Sequence, residues 1–373
     1  MSTSTETDGS EMPQELLGEL GFYTLAGHSD APRDLVDEVR LAEQLGLGAA
    51  FISERFNLKD APTLCGAAGA ISDRIGIATA ATNHNTRHPL VTATFATTMH
   101  RLTGGRFALG LGRGFDALFR SMGLTAIRSD QIQDAVTIFR QLWSGGTVTG
   151  HDGPAGRFPY LHQDATFNES IPVLLVAIGE KTLEFAGGCM DAVVLHTFLS
   201  DEALERSVAA VRRGAERSGR NPSDVRIWSV LATVGDHIDE DLRLKKTIGR
   251  LASYLRGYGD LLVRTNQWDE SVLEQFRSDP FVKDFKGAID ARATTEELEY
   301  LSTILPEEWT ASAATGTPQQ CTATIRRQFE LGADSVILHG ATPTELEPIL
   351  AAYRAERPER LRNMPANPGR SVP

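Results

Sequence analysis

Three histidines and one acidic–basic pair carry most of the chemistry that this sequence offers. His84, His196 and His339 each follow a short apolar run, and Glu54-Arg55 follows another. Histidine titrates nearest neutrality, so we rank His84 first, His196 second and His339 third as the proton donor, although a histidine at a strand end is often only structural. Arg55 stays protonated at any working pH and is therefore suited to anchoring an anion or polarising a carbonyl.

Further polar residues lie in equivalent places, directly after apolar runs. If those runs are parallel strands, their C-terminal ends gather these residues at one mouth, where the active sites of α/β barrels are built. The full set of candidates is Glu54, Arg55, Asn57, Thr82, Asn83, His84, Arg113, Asp116, Glu180, Lys181, His196, Thr197 and His339.

Eight short apolar runs alternate with amphipathic helical segments along the chain. This pattern predicts a parallel sheet flanked by helices, and the count favours a closed (β/α)8 TIM barrel of the α/β class over an open sheet. No G-x-G-x-x-G follows the first run, which disfavours a Rossmann nucleotide site. The predicted strands are residues 20–25, 49–53, 74–82, 106–111, 173–178, 192–195, 225–234 and 335–338.

The regions outside the regular repeat define the expected domain organisation. Residues 1–19 are predicted to be a mostly disordered extension, 20–357 the barrel, and the proline- and arginine-rich 358–373 a disordered tail. The charged stretch 236–328 breaks the periodicity and is predicted to be a helical insertion between strands seven and eight, plus the seventh outer helix. Residues 145–163 are predicted to form a loop or short hairpin over one end.

Composition excludes several classes of protein. The 373 residues are 41% hydrophobic and 23% charged, as in ordinary globular proteins, and the longest apolar runs are too short to cross a membrane. The net charge of −12 disfavours a nucleic-acid surface. Cys65, Cys189 and Cys321 are far apart, which favours buried thiols over a zinc site or a disulfide framework. The N-terminus lacks the pattern of a secretory signal, so we expect a cytoplasmic protein.

Two stretches suggest a bound cofactor. Residues 77–82 (IATAAT) are mostly small, although the core of a barrel is usually filled by large side chains, so a flat group could pack against this backbone. The alternative is that the small residues only make room for neighbouring helices. Residues 177–181 (AIGEK) lie between a strand and a helix, where backbone amides at Gly179 and Glu180 could face an anionic group; a plain turn is the alternative.

The runs ATAATNHNTRHP and RLTGGRFALGLGRG, in residues 77–114, resemble the core signature of the bacterial luciferase-like superfamily. The stretch from Gly21 to about Gly235 is similar to its coenzyme F420-dependent oxidoreductase branch. That resemblance implies a non-prolyl cis peptide beneath the cofactor ring, at Thr79-Ala80 or Ala80-Ala81. It implies contacts to F420, with FMN as the alternative cofactor, from Glu54, Arg55, Thr79, Ala80, Ala81, Thr82, Asn83, Gly112, Arg113, Ala177, Ile178, Gly179, Glu180 and Lys181.

Two departures from relatives bear on the reaction. Glu54-Arg55 stands where better-known F420 enzymes have an Asp-His pair, so the proton-transfer histidine of that pair is replaced by arginine. The catalytic glutamate of the sugar-phosphate dehydrogenase relatives aligns with Phe115, which disfavours glucose-6-phosphate as the substrate. Arg87 is expected to pair with a carboxylate rather than with the cofactor.

The leading hypothesis is an F420-dependent oxidoreductase that exchanges hydride with a small carbonyl, alcohol or activated alkene, with His84, His196 and Arg55 as catalytic residues. An FMN-dependent monooxygenase and a non-catalytic flavin-binding or assembly barrel are the alternatives. A homodimer is expected by analogy with relatives, and no nucleic-acid or membrane partner is expected. Aromatics in or next to the two irregular regions, residues 145–163 and 236–328, suggest an apolar substrate but equally fit subunit contacts. They are Phe158, Tyr160, Phe167, Tyr254, Tyr258 and Trp268.

Overall fold

The computed structural model describes residues 14–25, 31–56, 58–164 and 166–372. The strands in these ranges are β1 (Leu17–Tyr23), β2 (Leu47–Ile52), β3 (Gly76–Thr79), β4 (Phe107–Leu111), β5 (Thr147–Gly153), β6 (Gly156–His162), β7 (Val173–Val176), β8 (Ala192–Val194), β9 (Arg226–Gly235), β10 (Ala314–Gly316) and β11 (Ser335–His339).

The helices alternate with the strands. They are α1 (Leu35–Gln44), α2 (Ala61–Ala70), α3 (Pro89–Leu102), α4 (Asp116–Ser121), α5 (Ser129–Trp143), α6 (Glu180–Cys189), α7 (Asp201–Arg217), α8 (Glu240–Leu244), α9 (Arg250–Asn266), α10 (Glu270–Ser278), α11 (Pro280–Asp284), α12 (Ile289–Arg292), α13 (Thr295–Ile304), α14 (Pro318–Glu330) and α15 (Pro343–Ala355). A π-helical turn, Lys245–Gly249, joins α8 to α9. None of the helices in the described ranges is long and apolar enough to span a membrane.

Eight of these strands close into a parallel barrel, as predicted. The neighbours run β9-β11-β1-β2-β3-β4-β7-β8, and pairing of β8 with β9 closes the ring. Each strand ends in the same direction, so their C-terminal residues share one mouth. Strands β5 and β6 form an antiparallel hairpin, which decides between the loop and the hairpin expected for this stretch.

The interior of the barrel is filled unevenly. Strands β2, β3, β4 and β8 contribute alanines at Ala49, Ala78, Ala108 and Ala192, while larger side chains enter from β2 and β9. The rings of Phe51 and Trp228 meet edge to face with centroids 4.9 Å apart. These two rings occupy the volume that the alanines leave, so the barrel is packed below the strand ends.

The amphipathic helices cover the outside of the barrel because each buries one stripe. In α7, Leu204, Val208, Val211 and Ala215 recur at spacings of three or four residues and are all buried. The Ser200 side chain accepts a hydrogen bond from the Ala203 N–H and caps the first turn. The cysteine side chains are unpaired, with Cys65 and Cys321 buried and Cys189 partly exposed.

The helices from α8 to α13 lie between β9 and α14 and have their own core. Leu251, Leu262 and Leu298 are fully buried in it. The rings of Trp268 and Trp309 stack with centroids 4.6 Å apart. Tyr258 of α9 reaches His196, just beyond β8, so this helical insertion covers the C-terminal mouth of the barrel.

Strand β1 starts at Leu17, earlier than the predicted residue 20, so the extension expected over residues 1–19 is not wholly irregular. Residues 1–13 lie outside the described ranges. The early start was missed because Glu19 does not look like a strand residue facing a core. Its carboxylate is fully buried, and it is compensated by the Arg357 guanidinium at 2.7 Å and by the Tyr353 hydroxyl at 3.1 Å.

The prediction of a disordered C-terminal tail is wrong for the described residues up to 372. This segment closes the N-terminal end of the barrel by offering backbone carbonyls to two buried side chains of β9. The Arg226 guanidinium donates to the carbonyls of Pro365, Asn367 and Arg370, and the Trp228 indole N–H donates to Pro368. Prolines, which suggested disorder, suit this role because a carbonyl acceptor needs no N–H.

We predict that removing residues 364–373 destabilises the protein by about 3 kcal/mol, because Arg226 would lose several charge-assisted hydrogen bonds. Burial lowers the pKa of Arg226 to about 9, so the side chain still carries its charge at neutral pH. Urea unfolding of the full and truncated chains, each with and without Arg226→Met, measures the interaction free energy between Arg226 and the C-terminal segment. The truncation should cost clearly less in the R226M background; equal costs in both backgrounds would contradict this account.

Candidate functional site

A cavity opens at the C-terminal mouth of the barrel, above the packed interior. Its empty volume is about 630 Å³. Small and aliphatic residues from β3, β7, β8 and β9 form its floor, and polar groups from the strand ends form its walls. The lining residues are Tyr23, Thr24, Ser53, Arg55, Ala80, Val176, Leu195, His196, Thr197, Val230, Tyr254 and His339.

Ala80 presents the small-residue stretch to this cavity. A cis peptide joins Ala80 to Ala81, one of the two positions that the resemblance implied. The neighbouring strand β4 is pressed against this backbone: a Cβ on Gly110 would lie 1.7 Å from the Thr79 carbonyl oxygen, and one on Gly112 would lie 2.8 Å from the Ala81 Cβ. Only glycine permits this approach.

The polar residues on either side of Ala80 are occupied within the protein. The Thr79 hydroxyl donates to the Gly110 carbonyl at 2.8 Å and accepts from the Gly110 N–H at 2.7 Å. The Asn83 side chain donates to the Gly112 carbonyl at 2.7 Å, and both Thr82 and Asn83 are buried. These side chains hold the backbone in place, and none of them lines the cavity.

Glu54, expected to touch the cofactor, is also fully engaged elsewhere. Its carboxylate accepts hydrogen bonds from Arg87 at 2.8 Å, from the Thr82 hydroxyl at 2.9 Å and from the Ala61 N–H at 3.0 Å. Arg87 bridges it to Asp60, so the expected pairing of Arg87 with a carboxylate is confirmed. The side chain of Glu54 is only 2% exposed, and the pair ties β2 to the loop after β3.

Arg55 does line the cavity. Within the described ranges, its guanidinium has no hydrogen-bond or ion-pair partner. Burial and the nearby Arg250 guanidinium lower the pKa of Arg55, and only Tyr254 and Asp290 oppose that effect. Arg55 is therefore a positive charge that faces the cavity beside other positive charges.

The three ranked histidines are in different environments. His196 lines the cavity, and both ring nitrogens are used: Nδ1 bonds the Thr197 carbonyl at 2.9 Å and Nε2 lies 2.9 Å from the Tyr258 hydroxyl. A carbonyl only accepts, so Nδ1 carries the proton and Nε2 accepts from Tyr258. Burial lowers the pKa of His196, which keeps the ring neutral.

His339 lines the same cavity, with its ring edge-on to Tyr23 at a centroid distance of 5.3 Å. No group in the described part of the chain hydrogen-bonds to either of its ring nitrogens. Burial, followed by Arg250, His196, Arg55 and Lys246, lowers the pKa of His339 well below 6.5. It is therefore a neutral imidazole at neutral pH whose nitrogens remain open to a ligand.

His84, ranked first from the sequence, does not line this cavity. It lies against a second cavity of about 770 Å³, between the start of α3, the helix α5 and the hairpin β5–β6. Burial lowers the pKa of His84 to about 4. The residue followed a strand as predicted, but the loop turns outwards after Thr82, which places His84 among outer elements.

The predicted segment 177–181 lies at the start of α6 and outside the lining of the cavity. Ala177 is buried, Ile178 packs against the helical insertion, and Glu180 pairs with Arg213 at 2.6 Å. Lys181 is exposed. In the first turn of α6, the N–H groups of Thr182 and Leu183 bond the Gly179 carbonyl, while those of Glu180 and Lys181 have no acceptor among the described residues.

Arg113 and Asp116 also lie outside the lining, whereas the candidate Thr197 belongs to it. Arg113 bonds the Ser129 hydroxyl, and its Nε is buried with no acceptor in the described residues. Asp116 is exposed at the start of α4. Asn57 lies outside the described residues.

Sequence reasoning missed several lining residues. Tyr23, Thr24 and Ser53 directly follow or end β1 and β2, so the strand-end rule that selected Arg55 could have selected them too. Tyr254 was named only as one of six aromatics that suggest an apolar substrate; it belongs to α9 of the insertion, and no local pattern in the sequence indicates that it reaches the barrel mouth.

Sequence comparisons place the chain among known enzymes. Over 83% of this chain and 90% of the relative, it is 27% identical to a 5,10-methylenetetrahydromethanopterin reductase of Methanolobus tindarius. It is 26% identical, over 91% of this chain and 96% of the relative, to an F420-dependent glucose-6-phosphate dehydrogenase of Beutenbergia cavernae.

Structural comparisons agree on the fold. The coenzyme F420-dependent tetrahydromethanopterin reductase from Methanopyrus kandleri matches with a TM-score of 0.76 at 20% identity, over 92% of this chain and 99% of that one. An F420-dependent secondary alcohol dehydrogenase matches with a TM-score of 0.67 at 16% identity, over 93% and 100%. The family model for luciferase-like monooxygenases matches residues 9–335. The chain therefore belongs to the luciferase-like monooxygenase family, as the resemblance of its core motifs implied.

Proposed function

We propose that this protein is an F420-dependent oxidoreductase that transfers hydride between the cofactor and a small carbonyl compound, alcohol or activated alkene. The observation that carries the proposal is the cavity above Ala80, whose floor is small and apolar and whose walls carry polar groups. The similarity to several enzymes named as F420-dependent supports the choice of cofactor.

The residues present fit such a group. Ala80 offers a flat methyl surface, because Gly110 and Gly112 leave no side chains on the adjacent strand to rise beside it. Arg113, whose buried Nε has no acceptor among the described residues, and the N–H groups of Glu180 and Lys181 lie outside the lining of this cavity and are the groups that we propose for the anionic part of the cofactor. When bound, F420 supplies a ring carbon that takes or gives a hydride.

The protein's own task is to orient the substrate and to manage one proton. We assign the transfer of this proton to His339, because it lines the cavity, is neutral and has ring nitrogens without a hydrogen-bond partner among the described residues. His196 is held by Thr197 and Tyr258, so we assign it to positioning the wall of the cavity rather than to proton transfer. Tyr258, which hydrogen-bonds to His196, also stacks on the Phe115 ring with centroids 5.4 Å apart.

The aromatics that suggested an apolar substrate lie mostly elsewhere. Trp268 stacks on Trp309 inside the insertion, Phe167 is buried, and Tyr160 is exposed on the hairpin. Tyr254 lines the cavity, and Tyr258 hydrogen-bonds to His196 beside it. The apolar character of the substrate therefore no longer rests on these residues. The homodimer and the cytoplasmic location stay predictions.

Cofactor choice is tested by reconstitution. We predict that the purified protein binds F420 and that saturating FMN does not displace it, because several of the similar enzymes are named as F420-dependent. Fluorescence titration with each cofactor measures both affinities. Tight binding of FMN alone, with oxygen-dependent turnover, would instead establish the monooxygenase alternative, and binding of neither would favour the non-catalytic one.

The proton assignment is tested by replacing His339. We predict that His339→Asn lowers kcat/KM for alcohol oxidation by about 10²–10⁴-fold while F420 affinity is retained, because only the proton acceptor is lost. His162→Asn, on the exposed hairpin, is the matched control. In the unaltered enzyme, kcat/KM plotted against pH should show no loss of activity near pH 6.5, because the pKa of His339 lies well below that value. A full-activity H339N enzyme would refute the assignment.

A further inference from the structure

The charges around the cavity are nearly all paired. The Arg250 guanidinium lies 3.1 Å from the Asp290 carboxylate, and that carboxylate also accepts from the Ser253 hydroxyl at 2.7 Å. Lys246 lies 2.6 Å from the Glu345 carboxylate and donates to the Gly340 carbonyl. The positive charges of Arg250 and Lys246 are therefore each balanced by a carboxylate of the protein.

Arg55 is the exception among the described residues that line the cavity. The nearest acidic residue in sequence, Glu54, is turned away into the pair with Arg87. The next charged residue described along the chain, Lys59, donates to the Leu25 carbonyl. Burial together with the Arg55 charge lowers the pKa of Lys59 to about 8. A half-buried guanidinium without a counter-ion lowers the stability of the fold, since it loses part of its hydration and gains no ion pair in exchange.

We propose that the substrate carries a carboxylate that pairs with Arg55. This inference rests on the proposed function and narrows its substrate class to small oxo acids, hydroxy acids or unsaturated acids. Arg55 and His339 line one cavity with Ala80, so a carboxylate on Arg55 places the rest of a short molecule beside both the proposed proton carrier and the ring floor. The planar fork of arginine matches a carboxylate with two parallel hydrogen bonds.

The charge balance favours a carboxylate over a phosphate. A carboxylate brings one negative charge, whereas a phosphate monoester brings roughly 1.5 to 2 at neutral pH. Among the described residues, the cavity offers one unpaired cation, since His196 and His339 are neutral and the neighbouring Arg250 and Lys246 are already paired. A dianion would leave part of its charge uncompensated in a half-buried site.

The experiment compares acids with their methyl esters, which keep the shape and lose the charge. The probes are pyruvate, benzoylformate and cinnamate, each beside its methyl ester, with phenyl phosphate as the dianion. Calorimetric titration into the protein, with and without bound F420, measures each affinity. The variants are Arg55→Met, Arg55→Lys, and Arg157→Met as a matched control, because Arg157 is 82% exposed on the hairpin.

At least one acid should bind about tenfold or more tightly than its ester, a difference typical of a charge-assisted pair. The preference should disappear in R55M, persist in weakened form in R55K and be unchanged in R157M, with F420 affinity retained in all three. No preference for any acid, a preference that survives in R55M, or stronger binding of phenyl phosphate than of every acid would overturn the proposal.

The design separates this proposal from the assignment of the cofactor. If acids bind through Arg55 but F420 does not bind, the carboxylate site stands and the proposed reaction falls. If F420 binds to the parent protein but is lost in R55M, Arg55 serves the cofactor, and the carboxylate proposal falls.

Discussion

The close contact between β3 and β4 at the barrel mouth is the constraint on which the site depends. Gly110 and Gly112 have no space for a side chain, and the Thr79 hydroxyl is hydrogen-bonded to both backbone groups of Gly110. Thr82 and Asn83 extend these bonds beyond the strand. The backbone at Ala80 is thereby held by many bonds, and the surface that it offers to the cavity is a single methyl group.

Inside the barrel formed by the described strands, space for a ligand lies above that surface. Phe51 and Trp228 fill the barrel below it, and the C-terminal segment seals the far end through Arg226. Above it, the insertion brings Tyr254 and Tyr258 over the mouth. Among the described residues, Arg55 and His339 are basic side chains without a hydrogen-bond partner, and both line this cavity.

The sequence predicted the barrel well because strands, helices and their order are local patterns. It placed the start of β1 three residues late and was wrong for the C-terminal segment, because Glu19 and Arg226 are satisfied by partners more than a hundred residues away that no local pattern indicates. For the site, the strand-end rule found Arg55, His196 and His339, but the ranking placed His84, which lies outside the cavity, ahead of both other histidines. Which way His84 turns, and which nitrogens of His196 are already bonded, depends on tertiary contacts.

The central claim is that a planar ring rests on Ala80, and the most direct test is the dissociation constant for F420 in Ala80→Leu. Ala80 is buried and lines the cavity, so a leucine would occupy the ring position without disturbing the helices outside. We predict an affinity loss of about a hundredfold or more, about 2.7 kcal/mol, with an unchanged circular dichroism spectrum. An unchanged affinity in a folded A80L protein would contradict the account.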